Sequence, residues 1–396
     1  LSTDEGVGSR RPRLSYSPAR HHSDGMQHKL DPSHLSLPQR PEYRQACHSS
    51  DCLGLWLKGL ENVQRSTLLI AVWLLLIGLA RAGELEFTVT EPTGVARTNW
   101  PVTSGVPIAT GDLVDPHASA LLDSDGNELP LQTEALARWP DGSIRWLLLD
   151  FQTELDPNES RTFTLRYGAG TTRANVSRPL TVENSDGGIV LNTGPMKEVL
   201  DEDEIRLMDA VWLDADGDGS FGDDERVTSA EGAGIELTTP DGSVFRADAA
   251  PCEMQVEQAG PLRACIRVEG DHRGPSGKMF RYVVRLHAFR GQPHVRLFYT
   301  FVNDHSPELM SEIDSIELVL ARTRRSEREH LLLDGRRDAP SRLFQIDDRQ
   351  YGVNGEPADG HAAGWVAVGD VQGGLAIGIR EFWQNWPKSL EIGPSH

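Results

Sequence analysis

Short segments in which apolar and polar residues alternate, separated by turn residues, recur along the chain from Glu84 onward. Pro140, Asp141 and Gly142 form one such turn, because proline presets φ, aspartate bonds its own turn backbone and glycine accepts positive φ. The following run, residues 144–151, is apolar at odd and even positions alike, which predicts a strand covered on both faces. One predicted face carries Ile144, Trp146 and Leu148, and the opposite face carries Leu147, Leu149 and Phe151.

Residues 280–303 predict a second hairpin, with two long strands joined around Gly291 and Gln292. Glycine at the first central position favours a type II′ turn. One face is predicted to enter a core and carries Tyr282, Val284, Leu286, Val295, Leu297 and Tyr299. The other is predicted to meet water or a ligand and carries Arg281, Arg285, His287 and Arg296. A neighbouring hairpin is predicted at 255–270, and a further strand pair at 365–368 and 375–379.

These patterns predict an all-β protein with a small N-terminal β-barrel, followed by a larger antiparallel β-sandwich. The 38 glycines and 24 prolines suit many strands joined by turns. We place the barrel at residues 83–182 and the sandwich at 183–396, with a polar, glycine-containing link at 184–188 between them.

The first 82 residues differ from the rest. Residues 1–62 are rich in Ser, Pro, Arg and His and lack apolar periodicity, which predicts disorder, or a translation start placed too far upstream of Val63. Residues 66–80 are apolar and lead into Ala80, Arg81 and Ala82. This pattern predicts a secretory signal over residues 63–82 that is cleaved after Ala82, with an uncleaved anchor as the alternative. We therefore expect a secreted, periplasmic or extracellular protein with no membrane contact beyond the export signal.

Charge narrows the range of partners. Residues 1–82 hold 10 of the 39 Lys and Arg and 7 of the 59 Asp and Glu, which leaves residues 83–396 with a formal charge of −23. A surface of this sign repels nucleic acid and gains nothing from anionic membranes. An acidic ligand would need a local cationic site.

Two cysteines, Cys252 and Cys265, lie on either side of the predicted turn in the 255–270 region. In an oxidising compartment they could form a cross-strand disulfide, while buried free cysteines are the alternative.

An acidic loop at residues 214–225 fits the twelve-residue calcium-loop pattern. Its predicted ligands are Asp214, Asp216 and Asp218, the Ser220 carbonyl, and Glu225 as a bidentate ligand at position 12. Oxygen ligands at this spacing suit Ca²⁺, in a structural rather than a catalytic role. The residues after Glu225 have strand character, unlike an EF-hand, and a solvated acidic turn is the alternative reading.

Three motifs in the first predicted domain carry a family resemblance: Gly-Val-Pro at 105–107, Leu-Leu-Asp-x-Asp-Gly at 121–126, and Arg-Trp-Pro-Asp-Gly-Ser-Ile-Arg-Trp-Leu at 138–147. With them the chain resembles the N-terminal barrel and central β-sandwich of the exo-acting rhamnogalacturonan lyases. The resemblance implies a pectin-type acidic polysaccharide as partner and cleavage by β-elimination. It also implies a C-terminal helical toroid domain, which these 396 residues lack, so we expect a C-terminally truncated fragment of such a protein.

Elimination needs a base for the proton at C5 of the uronate, a cation for the carboxylate, and an acid for the leaving oxygen. Candidate catalytic groups are His305 and Lys388, and candidate substrate-binding groups are Trp383, Trp386, Gln384, Arg285 and Arg296. Arginine can grip a carboxylate with two hydrogen bonds, and tryptophan can stack on a sugar ring. The alternatives are that the arginines pair with surface carboxylates, and that the tryptophans fill a seam against a missing domain.

The sequence therefore predicts an exported polysaccharide-lyase-like protein acting on rhamnogalacturonan. The alternative is a non-catalytic, calcium-stabilised carbohydrate-binding or cell-surface β-sandwich protein.

Overall fold

The computed structural model of the protein describes residues 82–208, 210–304, 310–323, 329–337, 341–370 and 373–393. Within these ranges the chain is built from β-strands, and its helical segments are two single 3₁₀ turns, Asp223–Glu225 and Ala247–Ala249. The prediction of an all-β protein is confirmed. The predicted segment 1–62 and all of the predicted signal except Ala82 lie outside the described residues. No helix of the described part is long and apolar enough to cross a membrane.

The first unit contains seven strands arranged in two sheets around one core. The strands are β1 (Gly83–Thr90), β2 (Arg97–Pro107), β3 (Ser119–Leu122), β4 (Glu128–Leu129), β5 (Leu131–Arg138), β6 (Ile144–Leu155) and β7 (Ser160–Tyr167). One sheet has the order β1-β7-β3-β4 and the other β2-β6-β5, with all pairs antiparallel. The rings of Phe87, Phe151 and Phe163 lie within 5.9 Å of one another in the core.

The turn before β6 has the predicted chemistry. The Gly142 amide donates to the Trp139 carbonyl over 2.9 Å, the φ of Gly142 is +86°, and the Asp141 carboxylate accepts from the Ser143 amide. The prediction that both faces of β6 are covered is wrong at Trp146, which is 41% exposed. The barrel core takes Ile144 at the start of β6 and then the odd positions Leu147, Leu149, Phe151 and Leu155, whereas Trp146 faces outward.

The second unit follows directly, and its strands are β8 (Thr181–Ser185), β9 (Gly188–Asn192), β10 (Met196–Asp201), β11 (Val211–Leu213), β12 (Thr228–Thr238), β13 (Val244–Arg246), β14 (Glu253–Ala259), β15 (Arg263–Gly274), β16 (Gly277–Phe289), β17 (Val295–Val302) and β18 (Ser315–Arg322). A four-stranded sheet, β11-β10-β9-β8, shares a core with a seven-stranded sheet of order β17-β16-β15-β13-β12-β18, in which β14 also pairs with β15. The predicted barrel-then-sandwich order is thus confirmed. Residues 184–188, predicted as a link, form the turn of the β8–β9 hairpin.

The two faces of the β16–β17 hairpin are as predicted. Tyr282, Val284 and Leu286 are buried in the sandwich core, and Val295, Leu297 and Tyr299 pack against it. The predicted type II′ turn is wrong. The Gln292 amide donates to the Phe289 carbonyl over 3.2 Å, which places Gly291, with φ +66°, at the third position of the turn, as in type II.

A third group of strands surrounds its own small apolar core, which includes Leu333, Leu343 and Phe382. The strands are β19 (His330–Leu333), β20 (Arg336–Arg337), β21 (Arg342–Gln345), β22 (Gln350–Val353), β23 (Glu356–Asp359), β24 (Trp365–Asp370), β25 (Gly373–Gly378) and β26 (Ser389–Glu391). They form two sheets with the orders β20-β19-β24-β25 and β23-β22-β21-β26. The predicted pairing of 365–368 with 375–379 corresponds to β24 and β25.

The possible disulfide between Cys252 and Cys265 is excluded by strand register. Cys265 pairs with Gln258, whereas Cys252 lies just before Glu253, which pairs with Glu269. Both thiols are free, and burial raises the pKa of Cys252 to about 11 and that of Cys265 to about 12.

The barrel contacts the sandwich mainly through buried amide side chains. The Oε1 of Gln132 accepts hydrogen bonds from the amides of Leu262 and Arg263, both at 2.9 Å, and its Nε2 donates to the Arg263 carbonyl over 3.1 Å. Gln152 donates to the Arg290 carbonyl over 2.6 Å. These bonds fix the position of β15 and of the β16–β17 turn beside the barrel, where the candidate site lies.

Candidate functional site

Charged side chains cover the outer face of the sheet formed by β14, β15, β16 and β17. Arg285 donates two hydrogen bonds to Glu257, from Nε over 2.7 Å and from Nη2 over 2.8 Å. This bond pattern lowers the pKa of Glu257 and raises that of Arg285. The guanidinium that was predicted to meet a ligand is therefore held by a carboxylate of the adjoining hairpin.

Neighbouring cations on this face have carboxylate partners too. Arg267 pairs with Glu269, and Arg281 pairs with both Glu269 and Asp304. These residues, like Arg285, thus pair with carboxylates of the sheet surface in this structure.

Arg296 on β17 is the exception. The carbon at the centre of its guanidinium lies 4.7 Å from the centre of the Phe289 ring and 5.9 Å from that of Trp100. Within the part of the chain that the structure describes, no carboxylate lies within ion-pair distance of it. Arg296 is an exposed residue, but desolvation by its neighbours, and then the charges of Arg263 and Arg380, lower the pKa of its guanidinium. Arg296 thus offers hydrogen-bond donors to an incoming anion.

Two aromatic groups adjoin Arg296. The His294 ring centre lies 6.1 Å from that of Trp100 and 6.0 Å from that of Phe289. Burial, followed by the charge of Arg296, lowers the pKa of His294, so this imidazole is neutral at pH 7. Phe298, two residues along the same face of β17, is 53% exposed.

A chain of polar contacts runs from the barrel to this face. Asp150 on β6 is 3% exposed and accepts from Arg263 over 3.1 Å and from the Thr103 hydroxyl over 2.5 Å. Arg263 also contacts Nδ1 of His287 at 3.1 Å. Because a guanidinium only donates, Nδ1 must accept, which makes His287 the neutral Nε2–H tautomer.

The electrostatics of His287 agree with that assignment. Burial, and then the adjacent charge of Arg263, lower its pKa to about 4. A histidine of this pKa is uncharged at pH 7 but is a weak base. The contact with Arg263 therefore fixes the orientation of the ring and keeps it from adding positive charge to the face.

The acidic loop between β11 and β12 brings Asp214, Asp216 and Asp218 together, with one carboxylate oxygen from each within 4.8 Å of the others. Gly219, at position 6 of the pattern, has φ +82° and donates its amide to Oδ2 of Asp214 over 3.1 Å. Oδ1 of Asp214 is buried and accepts no hydrogen bond. Three carboxylates this close repel one another unless a cation lies between them, so the cluster could bind a metal ion.

The other two predicted ligands have different surroundings. Glu225 ends the loop in the 3₁₀ turn, and its two oxygens accept from the amides of Ala215 at 2.8 Å and Gly222 at 3.0 Å. The Ser220 amide donates to Asp218 over 2.6 Å. Glu225 therefore closes the loop through backbone hydrogen bonds and does not belong to the carboxylate cluster. The chain leaves the loop through an Arg226 bridge to Trp212, in agreement with the predicted strand character.

The aromatic and polar residues before β26 lie on an exposed turn. The Trp383 ring stacks on His361, with centres 3.8 Å apart and planes 5° apart, and Trp386 is 51% exposed. Gln384 is exposed beside them. In the described ranges no hydrogen bond or ion pair joins this turn to Arg285 or Arg296.

Of the two catalytic candidates, Lys388 lies within the described residues. Lys388 donates from Nζ to the carbonyls of Glu381 at 3.1 Å and Phe382 at 3.4 Å, and burial lowers its pKa. Its ammonium group thus holds the turn together. His305 lies outside the described residues.

Sequence reasoning missed Asp150, Trp100, His294 and His361. For Asp150 a signal was present, because a carboxylate inside the apolar run Leu-Leu-Leu-Asp-Phe implies a buried partner. The other three carry no such signal, since their partners lie in distant segments.

Comparison with known proteins identifies both units. A family model described as the PcRGLX-like N-terminal RIFT barrel domain matches residues 92–168. A second, the PcRGLX-like protein central beta sandwich domain, matches residues 180–320 and 350–396.

One curated relative, the "Uncharacterized protein YetA" of Bacillus subtilis (strain 168), is 22% identical over 367 residues. The match covers 76% of this chain, which spans 41% of the length of that relative. Among solved structures, an alpha-mannosidase from Enterococcus faecalis V583 is similar over 72% of this chain and 37% of its own, with 11% identity and a TM-score of 0.33. A structural likeness this low carries no information about activity.

Proposed function

Because the chain belongs to the PcRGLX-like family, we propose that it is the substrate-binding part of an exported, rhamnogalacturonan lyase-like protein that acts on pectin-type polysaccharide by β-elimination. The observation that carries this proposal is the match of two successive domain models in family order. It is supported by Arg296, the one cation on the described residues of β14–β17 that has no carboxylate partner among the described residues, which lies beside aromatic rings.

The chemistry of that face suits an acidic sugar. A guanidinium can stabilise a uronate carboxylate as it gains enolate character during removal of the C5 proton. Residues 83–396 carry a net charge of −23, which repels a polyuronate. Binding therefore requires a local cationic site of this kind. Arg296 is placed to supply the cation in this proposal. The base and the acid remain to be supplied by groups other than Lys388, whose ammonium is bonded to carbonyls.

The test is incubation of the protein with rhamnogalacturonan and with polygalacturonate, followed by ultraviolet absorbance of the unsaturated uronate that elimination creates. New absorbance with rhamnogalacturonan alone supports the lyase proposal. Retention on the polymer without turnover supports the second candidate, a non-catalytic carbohydrate-binding protein. That candidate is favoured by the weak basicity of His287 and the inward contacts of Lys388.

We further propose that the acidic loop holds a structural Ca²⁺. The buried Oδ1 of Asp214 and the nearby carboxylates of Asp216 and Asp218 would ligate it together with the Ser220 carbonyl, while Glu225 would hold the loop closed through its backbone hydrogen bonds. Bound calcium would neutralise the repulsion among the carboxylates and fix the connection between β11 and β12.

Export is also a proposal, and it rests on the sequence pattern before Gly83. The first strand, Gly83–Thr90, begins directly after the proposed cleavage position, which leaves no residue of the barrel inside the removed segment. N-terminal sequencing of the protein from its native host tests this, and a mature chain that retains residues 63–82 would contradict cleavage.

A further inference from the structure

Arg296 stands out because the cations around it are neutralised. Arg263 pairs with Asp150, Arg285 with Glu257, and Arg281 with Glu269 and Asp304. In a segment with 52 acidic and 29 basic residues, a carboxylate partner for every arginine would be the ordinary outcome. In the described ranges Arg296 has aromatic neighbours and no carboxylate partner.

The surroundings of Arg296 come from three parts of the chain. Trp100 belongs to the barrel, Phe289 to the sandwich, and Arg380 to the turn before β26. The guanidinium lies over the Phe289 and Trp100 rings, and among the residues that the structure describes its N–H groups have no hydrogen-bond acceptor, since an aromatic face accepts a cation but is a poor substitute for an oxygen. Arg380 is itself paired with Glu381, over 3.8 Å.

Phe298 provides an apolar surface beside this charge. Positions 296 and 298 of β17 lie on the same side of the strand, about 7 Å apart. The Phe298 ring is 53% exposed and held edge-on against His287, at 5.2 Å and 89°. A ligand that lies on the Phe298 ring would therefore be on the side of β17 that carries Arg296.

We propose that Arg296 binds the carboxylate of a single uronic acid residue whose sugar ring lies on Phe298. The ligand class, a uronic acid, rests on the proposed function, whereas the anion site itself rests on the unpaired guanidinium. Arg296 supplies a planar fork of donors for the two carboxylate oxygens, and Phe298 supplies contact with the C–H groups of the ring.

The experiment is a calorimetric titration of the protein with digalacturonate and with galactobiose, its uncharged counterpart. The variants are Arg296→Gln, Arg296→Lys and Phe298→Ala. The matched control is Arg285→Gln, which removes a guanidinium from the same face that is already bonded to Glu257.

We expect digalacturonate to bind the unaltered protein more tightly than galactobiose. Arg296→Gln should weaken digalacturonate binding by about 10-fold or more, as expected for loss of a charge-assisted pair. Arg296→Lys should be intermediate, because the charge stays and the fork is lost. Phe298→Ala should weaken both sugars alike, and Arg285→Gln should change neither by more than about 2-fold.

Equal losses in Arg296→Gln and Arg285→Gln would overturn the inference, as would equal affinity for the two sugars or no binding by the unaltered protein. Thermal unfolding of each variant shows whether it is folded. If Arg296→Gln does not fold, Arg296→Lys still tests the site. Because this experiment measures binding and the lyase assay measures turnover, the two proposals can fail independently. Binding that depends on Arg296 but is not followed by turnover would support this site and contradict the lyase proposal. Normal turnover by Arg296→Gln would support the lyase proposal and contradict this site.

Discussion

Gln132 is the side chain on which we expect the docking of the barrel against the sandwich to depend most. It is 7% exposed and makes three hydrogen bonds to the backbone of residues 262 and 263. Gln132→Ala removes all three and leaves the buried Leu262 amide without an acceptor. At about 1 kcal/mol net for each of the three bonds, the loss in the free energy of unfolding is about 3 kcal/mol.

Gly260 allows a sharper test of the same contact. A Cβ built at this position would lie 2.1 Å from Cδ of Gln132, and the three nearest atoms all belong to that side chain. Gly260→Ala should therefore displace Gln132 and cost about 2 kcal/mol through overpacking. With Gln132→Ala already present, the added methyl group enters vacated space. The double variant should lose about 3 kcal/mol rather than about 5, a coupling of about 2 kcal/mol.

The assay is equilibrium urea unfolding, followed by tryptophan fluorescence and by far-ultraviolet circular dichroism, since coincident transitions are needed to treat the two units as one cooperative system. Gln258→Ala is the control, because it removes only an exposed hydrogen bond to Glu134 and should cost less than about 1 kcal/mol. Additive losses in the double variant would refute the argument that Gly260 and Gln132 compete for one space. A loss below about 1 kcal/mol for Gln132→Ala would refute the role of Gln132 in docking.

Three further predictions concern calcium, the buried ion pair and pH. Calcium at about 100 times its Kd should stabilise the protein by about 2.7 kcal/mol, and the double substitution Asp216→Asn and Asp218→Asn should abolish that gain in thermal unfolding; an equal gain in the substituted protein would contradict the loop site. Asp150→Ala should cost about 3 kcal/mol in urea unfolding, because it strands the Arg263 guanidinium, whose side chain is 14% exposed, whereas Thr103→Val should cost about 1 kcal/mol. Burial alone would raise the pKa of Glu91, but hydrogen bonds from Thr93, Asn158 and Val95 lower it from 4.5 to about 2. The carboxylate therefore stabilises the fold above pH 4.5 and ceases to do so as pH falls toward 2, and Glu91→Gln should flatten the stability profile across that window.

Local signals in the sequence predicted the strands and most turns, because those features depend on neighbouring residues. Proline, aspartate and glycine at 140–142 produce the turn they predict, and the period-two pattern of β16 and β17 predicts which side chains enter the core. The turn at Gly291 shows the limit of this reasoning. Glycine permits positive φ at either central position, and hydrogen bonding of the whole five-residue connection decides which one it takes.

The contacts between units could not be predicted in the same way. Gln132 and Leu262 are 130 positions apart, and nothing in either segment indicates the other. The small core around Leu343 and Leu390 likewise unites strands separated by almost fifty residues. Such pairings depend on how complete sheets pack, so the local pattern of apolar and polar residues does not predict them.

Arg285 and Arg296 show why the candidate site could be only partly predicted. Both were placed correctly on the outer face, and by alternation alone they are equivalent. Their difference arises from β14, which brings Glu257 to Arg285, and from the barrel and the C-terminal turn, which bring Trp100 and Arg380 to Arg296. An arginine already satisfied by a carboxylate gains little from a ligand, whereas one held against aromatic rings gains its first full set of acceptors. The capacity of this face to bind an anion therefore depends on which partners the fold supplies to each arginine, rather than on how many arginines the strand carries.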